Sequence, residues 1–379
     1  MTEIKYPTAF SHWDVQEQAA IARVLTTGRF TQGQEVAAFE NEFAAYHGMN
    51  HAIMTNSGSS ANLIMIATLF QLGQLKRGDK VLVPAIAWST TYAPLIQHGL
   101  DLLLLDCDST WNANPEVPGR DWEDAKLVVG CSILGNPSDL ISWKTIAGVL
   151  DAVFIEDNCE SLGALVKGTN LSSNDLCGTR GLMNSFSFFY SHQISAIEGG
   201  MILTNDEDCA NTCRMLRAHG WTRDITPPTK FDDEYRFESF GYNVRGLELH
   251  AAIAREQLKK LPEFIKQRNN NLVRFRKWTD HFPIVHQTLN GSPSPFGLSF
   301  LVESGEKRAA LVAALRTAEI DCRLPTGGSF RLHPYGKEWR DQETPNADKV
   351  HQTGLFLGNA PFDIGNKIAR AVEVMGEIL

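Results

Sequence analysis

The chain predicts an α/β fold: a large, mainly parallel sheet domain followed by a smaller C-terminal α+β domain. Three observations carry that prediction. Short apolar or β-branched runs alternate with amphipathic stretches through the first half of the chain. Beyond about Gly241 the texture changes and long helical patterns take over. The composition, 43% hydrophobic and 21% charged over 379 residues, supplies enough apolar material for a large core.

In chain order, strand-like runs lie at His51–Met54, Lys80–Pro84, Leu100–Asp106, Lys126–Cys131, Asp151–Glu156, Leu182–Phe189 and Gly200–Thr204. Helical patterns such as Ser60–Leu72 and Ser89–His98 separate several of them. This alternation implies parallel strands covered by helices on both faces. Right-handed crossovers then set the loops that follow the strands along one edge, where ligands bind. Gly246–Lys260 reads as a long helix that Leu261–Pro262 interrupts, and Phe264–Trp278 continues at helical spacing. A strand at Phe296–Val302 and a helix at Lys307–Ala318 follow, and Pro325–Pro334, rich in Gly, Pro and Ser, reads as a loop near the active site. The expected division is residues 1–240 and 241–379, with no internal repeat.

Net charge is −9, and no run of Lys and Arg stands against it, so no nucleic-acid partner is expected. No segment approaches the roughly 18 uninterrupted apolar residues of a membrane span, and Met1–Pro7 has no apolar signal core. The seven cysteines are dispersed without a CxxC pair, a pattern that favours reduced thiols and a cytoplasmic location. Cys209 and Cys213, one helical turn apart, read as packing residues, and His47 and His51 read as structural. No further ligand lies near either pair, so no metal is expected.

Three segments carry candidate chemistry. Thr55-Asn56-Ser57-Gly58-Ser59-Ser60-Ala61-Asn62 joins a strand to a helix. Gly58 permits close backbone approach, Ser59 or Ser60 serves as cap, and the free N–H groups form an anion site. A plain polar capping turn explains the same residues. Phe154–Glu160 is an apolar strand ending in acids. Asp157 suits a cationic ring nitrogen, though an acid at a strand end also serves as a Mg²⁺ ligand or helix cap. Phe186–Gly200 places His192 in a polar break between two apolar runs, flanked by serine and followed by Gly199-Gly200. That is a loop poised over a site, with an imidazole suited to moving protons near neutral pH.

Together with Pro84–Thr91 around Trp88, Arg217–Trp221 and Gly241–Arg245, these segments resemble the DegT/DnrJ/EryC1/StrS family of pyridoxal-phosphate-dependent sugar aminotransferases over nearly the whole chain. The resemblance implies the fold type I, aspartate aminotransferase-like, architecture. It implies that Gly58, Ser59 and Ser187 bind the cofactor phosphate, that Trp88 stacks on the ring, and that Asp157 pairs with the ring nitrogen. Glu160 stands where most family aminotransferases carry Gln, near the ring hydroxyl. Asn243 is implied to reach the phosphate of a neighbouring subunit, which makes a homodimer the functional unit. His219 and Arg223 are implied to contact sugar or glutamate, although a surface ion pair reads the same.

Position 192 departs from the aminotransferase pattern. Family aminotransferases carry Lys there and bond it covalently to the cofactor; imidazole cannot form that bond. The nearest lysines, Lys167 and Lys230, lie outside the motif. The cofactor is therefore expected to be held non-covalently, as pyridoxamine 5′-phosphate alternating with pyridoxal 5′-phosphate. The pattern around Tyr190-Ser191-His192 resembles a dehydratase branch of the family. That branch implies that His192 is the catalytic base in removing the C3 hydroxyl of a nucleotide-linked 4-keto-6-deoxy sugar, GDP-4-keto-6-deoxymannose, with L-glutamate re-aminating the cofactor. The setting implied is deoxysugar biosynthesis for lipopolysaccharide O-antigen. A second histidine-bearing branch carries an iron–sulfur cluster, which needs four thiolates; the absence of any Cys between Cys213 and Cys322 opposes it. Two alternatives are a plain sugar aminotransferase, opposed by the missing lysine, and a non-catalytic sugar-nucleotide binder, opposed by the presence of Asp157, Ser187 and Asn243. Gly246 and the Pro325–Pro334 loop depart from the branch pattern and leave the nucleotide and sugar open.

Overall fold

The computed structural model describes residues 5–10, 12–116, 122–166, 175–226 and 228–379; Lys167 lies outside them. In chain order the strands are β1 (His51–Thr55), β2 (Lys80–Pro84), β3 (Asp101–Leu105), β4 (Ala125–Cys131), β5 (Val153–Asp157), β6 (Met183–Ser187), β7 (Gly200–Thr204), β8 (Val285–His286), β9 (Gly297–Leu301), β10 (Cys322–Arg323) and β11 (Gly354–Gly358). The α-helices are α1 (Val15–Thr27), α2 (Gln34–His47), α3 (Gly58–Gln71), α4 (Ser89–Gln97), α5 (Leu140–Val149), α6 (Glu207–Leu216), α7 (Glu248–Trp278), α8 (Gly305–Thr317), α9 (Pro345–Thr353) and α10 (Gly365–Ile378).

Strands β1 to β7 form one sheet in the order β1-β7-β6-β5-β4-β2-β3. Strand β7 is antiparallel to both neighbours, and the other pairs are parallel. Its central members β6 and β7 are buried along their whole length, as strands covered on both faces must be. One face packs Ile64, Met65 and Leu69 of α3 against Val81, Val83 and Leu127. The other packs Phe39 and Phe43 of α2 edge-on against Phe188 and Phe186, ring centroids 5.1 Å apart in each pair. The register aligns Cys131 with Asp157, Asp157 with Ser185, Ser187 with Gly200 and Gly200 with Thr55. The carboxyl ends of β1, β4, β5 and β6 therefore meet at one edge, where the sequence places its motifs.

A second, antiparallel sheet, ordered β10-β11-β9-β8, packs Leu298, Phe300, Leu355 and Leu357 against Leu311 and Leu315 of α8 and Ile368 and Ala371 of α10. Tyr6 and Phe10 join this second core, and the Tyr6 hydroxyl donates to the Gly358 carbonyl at 2.8 Å. The N-terminal segment thus packs into the core of the C-terminal sheet. No helix among the described residues is long and apolar enough to cross a membrane.

Two local expectations need correction. Pro262 does not interrupt the long helix: α7 runs unbroken through it for 31 residues. A proline inside a helix costs about 3 kcal/mol, but Ala251 to Leu261 are anchored in the first core and Leu272 and Phe275 in the second, so packing offsets it. The cap of α3 is neither Ser59 nor Ser60 but Ser57, whose Oγ accepts from the Ser60 N–H at 3.1 Å. The helix starts earlier than its apolar periodicity does, because Gly58 and Ser59 already form its first turn.

Candidate active site

A cavity of about 460 Å³ opens at the carboxyl edge of the large sheet, within the range of small-molecule sites. Its lining includes Gly58, Ser59, Trp88, Asp157, Glu160, Ser187 and His192. These seven residues come from four separate strand-end loops, and the sheet register brings them together.

One end of the cavity suits a phosphate. Helix α3 starts there, leaving its first N–H groups without helical partners. The Ser59 hydroxyl lies 2.7 Å from that of Thr90. A Cβ at Gly58 would stand 2.6 Å from the Ser187 Cβ and 2.8 Å from the Cys159 Sγ. Only glycine lets the loop press this closely on the end of β6.

Asp157, at the end of β5, is 5% exposed. Its Oδ2 accepts from Asn62 Nδ2 at 2.8 Å and Thr91 Oγ1 at 2.7 Å, and its Oδ1 accepts from the Cys159 N–H at 3.1 Å. Ser185 Oγ in turn donates to Asn62 Oδ1 at 2.6 Å. The carboxylate is thereby fixed in direction at the cavity wall. Glu160 Oε2 accepts from the Leu134 N–H at 2.7 Å and Thr326 Oγ1 at 2.9 Å. Burial pushes its carboxyl up to about 7, against the pull of those two hydrogen bonds. Trp88 precedes α4 with 56% of its surface open. Thr326 and Gly327 of the Pro325–Pro334 loop line the same cavity, Gly327 beside the Trp88 ring.

His192 sits in the turn between β6 and β7, its N–H donating to the Phe189 carbonyl at 2.9 Å. Its ring stands edge-on to Phe296 at 5.2 Å and to Phe189 at 6.0 Å between centroids. Nδ1 is buried with no partner among the described residues. Burial, and then the charge of Arg268, lower its pKa to about 3. A neutral imidazole is the form that accepts a proton.

Three candidates fall outside this cavity in the single chain. Arg223 lies 3.8 Å from the Trp221 ring centroid and lines another cavity, of about 430 Å³, with Arg29 and Arg245. His219 is exposed at a positive φ of 69°, and Asn243 is exposed with its backbone bridged to Ala218. The sequence reading missed Asn62, Thr91 and Ser185, which hold Asp157, and Thr326, which holds Glu160. Asn62 and Thr91 lie inside those motifs, four positions past Gly58 and three past Trp88, near the starts of α3 and α4. Among the described residues, no group of three or more His, Cys, Asp or Glu is placed to hold a metal.

The residues fit a pyridoxal-type cofactor. An open flat indole, a buried directed carboxylate and a hydroxyl-lined helix start match its ring face, its ring nitrogen and its phosphate. The fold and this site define a pyridoxal-phosphate enzyme of fold type I. More closely, the chain belongs to the DegT/DnrJ/EryC1/StrS aminotransferase family, whose model matches residues 12–374. It is 40% identical to a GDP-4-keto-6-deoxy-D-mannose 3-dehydratase of Escherichia coli, over 98% of this chain and all of that one. It is 37% identical to an enzyme of the same name from Yersinia pseudotuberculosis, with 98% of both chains covered. The solved E. coli GDP-4-keto-6-deoxy-D-mannose-3-dehydratase with bound hydrated PLP superposes at a TM-score of 0.90, with 38% identity over 98% of this chain and 100% of that one. A GDP-4-keto-6-deoxymannose-3-dehydratase structure with a trapped PLP-glutamate geminal diamine gives 0.88, with 37% identity and the same coverage.

Proposed function

We propose that this chain is a pyridoxamine-phosphate-dependent lyase that removes the C3 hydroxyl of a nucleotide-linked 4-keto-6-deoxy sugar, GDP-4-keto-6-deoxymannose, with glutamate restoring the cofactor amine. The observation that carries this reading is His192: a neutral imidazole at the cavity wall where family aminotransferases carry their covalent lysine. The names and bound molecules of the similar proteins support it.

When bound, the cofactor supplies an amine to engage the sugar ketone and a ring that accepts electrons. Gly58, Ser59 and Ser187 would take its phosphate, and Trp88 would stack on its ring. Asp157 would bond the protonated ring nitrogen and keep the ring electron-poor. Glu160, whose carboxyl burial pushes up to about 7, would face the ring oxygen where Gln stands elsewhere in the family, and its protonated form can donate to that oxygen. His192 would serve as the base that moves the proton whose removal accompanies loss of the C3 hydroxyl. With no lysine amine at position 192, that proton transfer is not followed by covalent recapture of the cofactor.

Asn243 belongs to the same reaction through a homodimer, in which it reaches the partner subunit's phosphate, and His219 and Arg223 contact sugar or glutamate. Their exposure in the single chain suits that assignment. A division into residues 1–240 and 241–379, with Tyr6 and Phe10 packed into the core of the second part, and a cytoplasmic location complete the reading. The test is direct. Purified protein is incubated with pyridoxamine phosphate, glutamate and GDP-4-keto-6-deoxymannose, and the nucleotide sugars are followed by mass spectrometry. Loss of the sugar oxygen supports the proposal, whereas gain of an amino group, or no change, overturns it.

A further inference from the structure

We infer that Arg268 is a positioning residue, which holds the His192 loop and its aromatic wall in place over the cofactor cavity; this rests on the reading of His192 as the base. Arg268 lies in the interior of α7 and is 1% exposed. Among the described residues, no carboxylate stands within ion-pair distance of it. A buried guanidinium without a counter-ion is costly and persists only where its donors are well used. Here both terminal nitrogens donate to main-chain carbonyls, while Nε is buried with no partner among the described residues. Nη2 reaches the carbonyl of His192 at 3.3 Å. Nη1 reaches those of Asn359 at 2.8 Å, Phe296 at 3.3 Å and Pro295 at 3.5 Å.

Those carbonyls belong to three segments far apart in sequence, and two of them bear directly on the base. One is the peptide of His192. The other is the peptide of Phe296, whose ring stands edge-on to the imidazole at 88°. Asn359 Nδ2 closes the network by donating to the Arg268 carbonyl at 3.0 Å. A planar guanidinium fork serves several carbonyls at once, which an ammonium on a flexible stem cannot do. The same buried cation bonds the His192 peptide, where its charge opposes a second positive charge on the imidazole. Around the ring, the other charged groups lining the cavity are Asp157, Glu160, Glu198 and Arg323.

The test uses the holoenzyme with bound pyridoxamine phosphate and four variants: Arg268→Gln, Arg268→Lys, His192→Asn and the Arg268→Gln/His192→Asn double. Sugar deoxygenation gives kcat and KM, and an absorbance titration gives cofactor affinity. Carbon-13 NMR of histidine-labelled protein gives the His192 titration, its signal identified by its absence in His192→Asn. Arg268→Gln is expected to lower kcat by about 10- to 100-fold, the scale of a misplaced catalytic group. KM and cofactor affinity stay near wild type, while the His192 signal titrates closer to the ordinary histidine range. Arg268→Lys recovers part of the rate. The double variant is no slower than His192→Asn alone, because the arginine acts through the histidine.

Wild-type kcat with an unmoved His192 titration in Arg268→Gln overturns the inference, as does a double variant slower by the product of the single effects. Should Arg268→Gln fail to fold, Arg268→Lys decides: wild-type rate and titration overturn the inference, and a slower rate with a shifted titration supports it. Full activity in His192→Asn sinks the underlying reading of the base. An inactive His192→Asn beside a fully active Arg268→Gln sinks the positioning role alone.

Discussion

Replacing Gly58 with alanine isolates the cofactor cradle from the rest of the fold. The backbone at Gly58 is helical and does not need positive φ, so alanine brings no conformational strain there. The cost is contact: the new methyl meets Ser187 Cβ at 2.6 Å, Cys159 Sγ at 2.8 Å and the Ser187 backbone at 3.2 Å. Two of those partners belong to a buried strand end, so the loop itself must shift away. Overpacking of this kind costs about 1–3 kcal/mol. The displaced loop carries the N–H groups proposed to take the phosphate, so cofactor binding must restore the clash and bear up to that cost. At 1.4 kcal/mol per tenfold, cofactor affinity should drop by roughly 5- to 150-fold. The assay is an absorbance titration with pyridoxamine phosphate, beside a Gly73→Ala control. Gly73 has a φ of 70° and open space around its would-be Cβ, so its alanine strains a turn without touching the cavity. The reasoning fails if Gly58→Ala binds the cofactor as tightly as wild type, or if Gly73→Ala weakens it equally.

Three further outcomes are expected. Asp157→Asn should fold normally and nearly abolish turnover, since an amide no longer favours the protonated ring nitrogen; near-normal kcat in this variant would remove Asp157 from the site. Borohydride reduction of the holoenzyme followed by peptide mapping should find no lysine bearing the cofactor, and a single modified lysine would restore the aminotransferase reading. Acid should destabilise the fold through His47, which is wholly buried beside Phe43 and Phe186 and whose pKa burial lowers from 6.5 to about 4. The unfolded chain takes up that proton first, so stability is intact above pH 6.5 and falls as pH drops toward 4. The slope is up to about 1.4 kcal/mol per pH unit for such a histidine. His47→Phe should flatten the denaturant-midpoint profile between pH 6.5 and 4, and an unchanged profile would exclude His47 as a source of the slope.

Most of the fold was legible because strand-helix alternation leaves a strong imprint: the apolar runs around Lys80, Ala125 and Gly200 became strands within a residue or two. Pro262 misled because a local helix-breaking rule is blind to two hydrophobic cores gripping the same helix from opposite ends. The cap at Ser57 was missed because a helix starts where its hydrogen bonds do, ahead of its apolar pattern. In the site, Asp157 and Ser187 were readable because each ends a strand, and Gly58 and His192 because each lies in a loop that follows one; the register brings those strand ends to one edge. The residues that support them were not. Asn62 lies 95 positions from Asp157, and Arg268 lies 76 from His192; only tertiary packing makes them neighbours. Asn243, His219 and Arg223 show the opposite limit, since a motif can name residues that a single chain does not bring to the cavity.

The central claim is that a histidine does here what no lysine is present to do. The most direct measurement is the rate of sugar deoxygenation by His192→Asn, with pyridoxamine phosphate binding measured on the same sample. Cofactor affinity should persist, because Ser59, Ser187, Trp88 and Asp157 are untouched. The rate should fall by about 10² to 10⁴, as expected on losing a general base. Deoxygenation at the wild-type rate by a cofactor-bound His192→Asn protein would contradict the account.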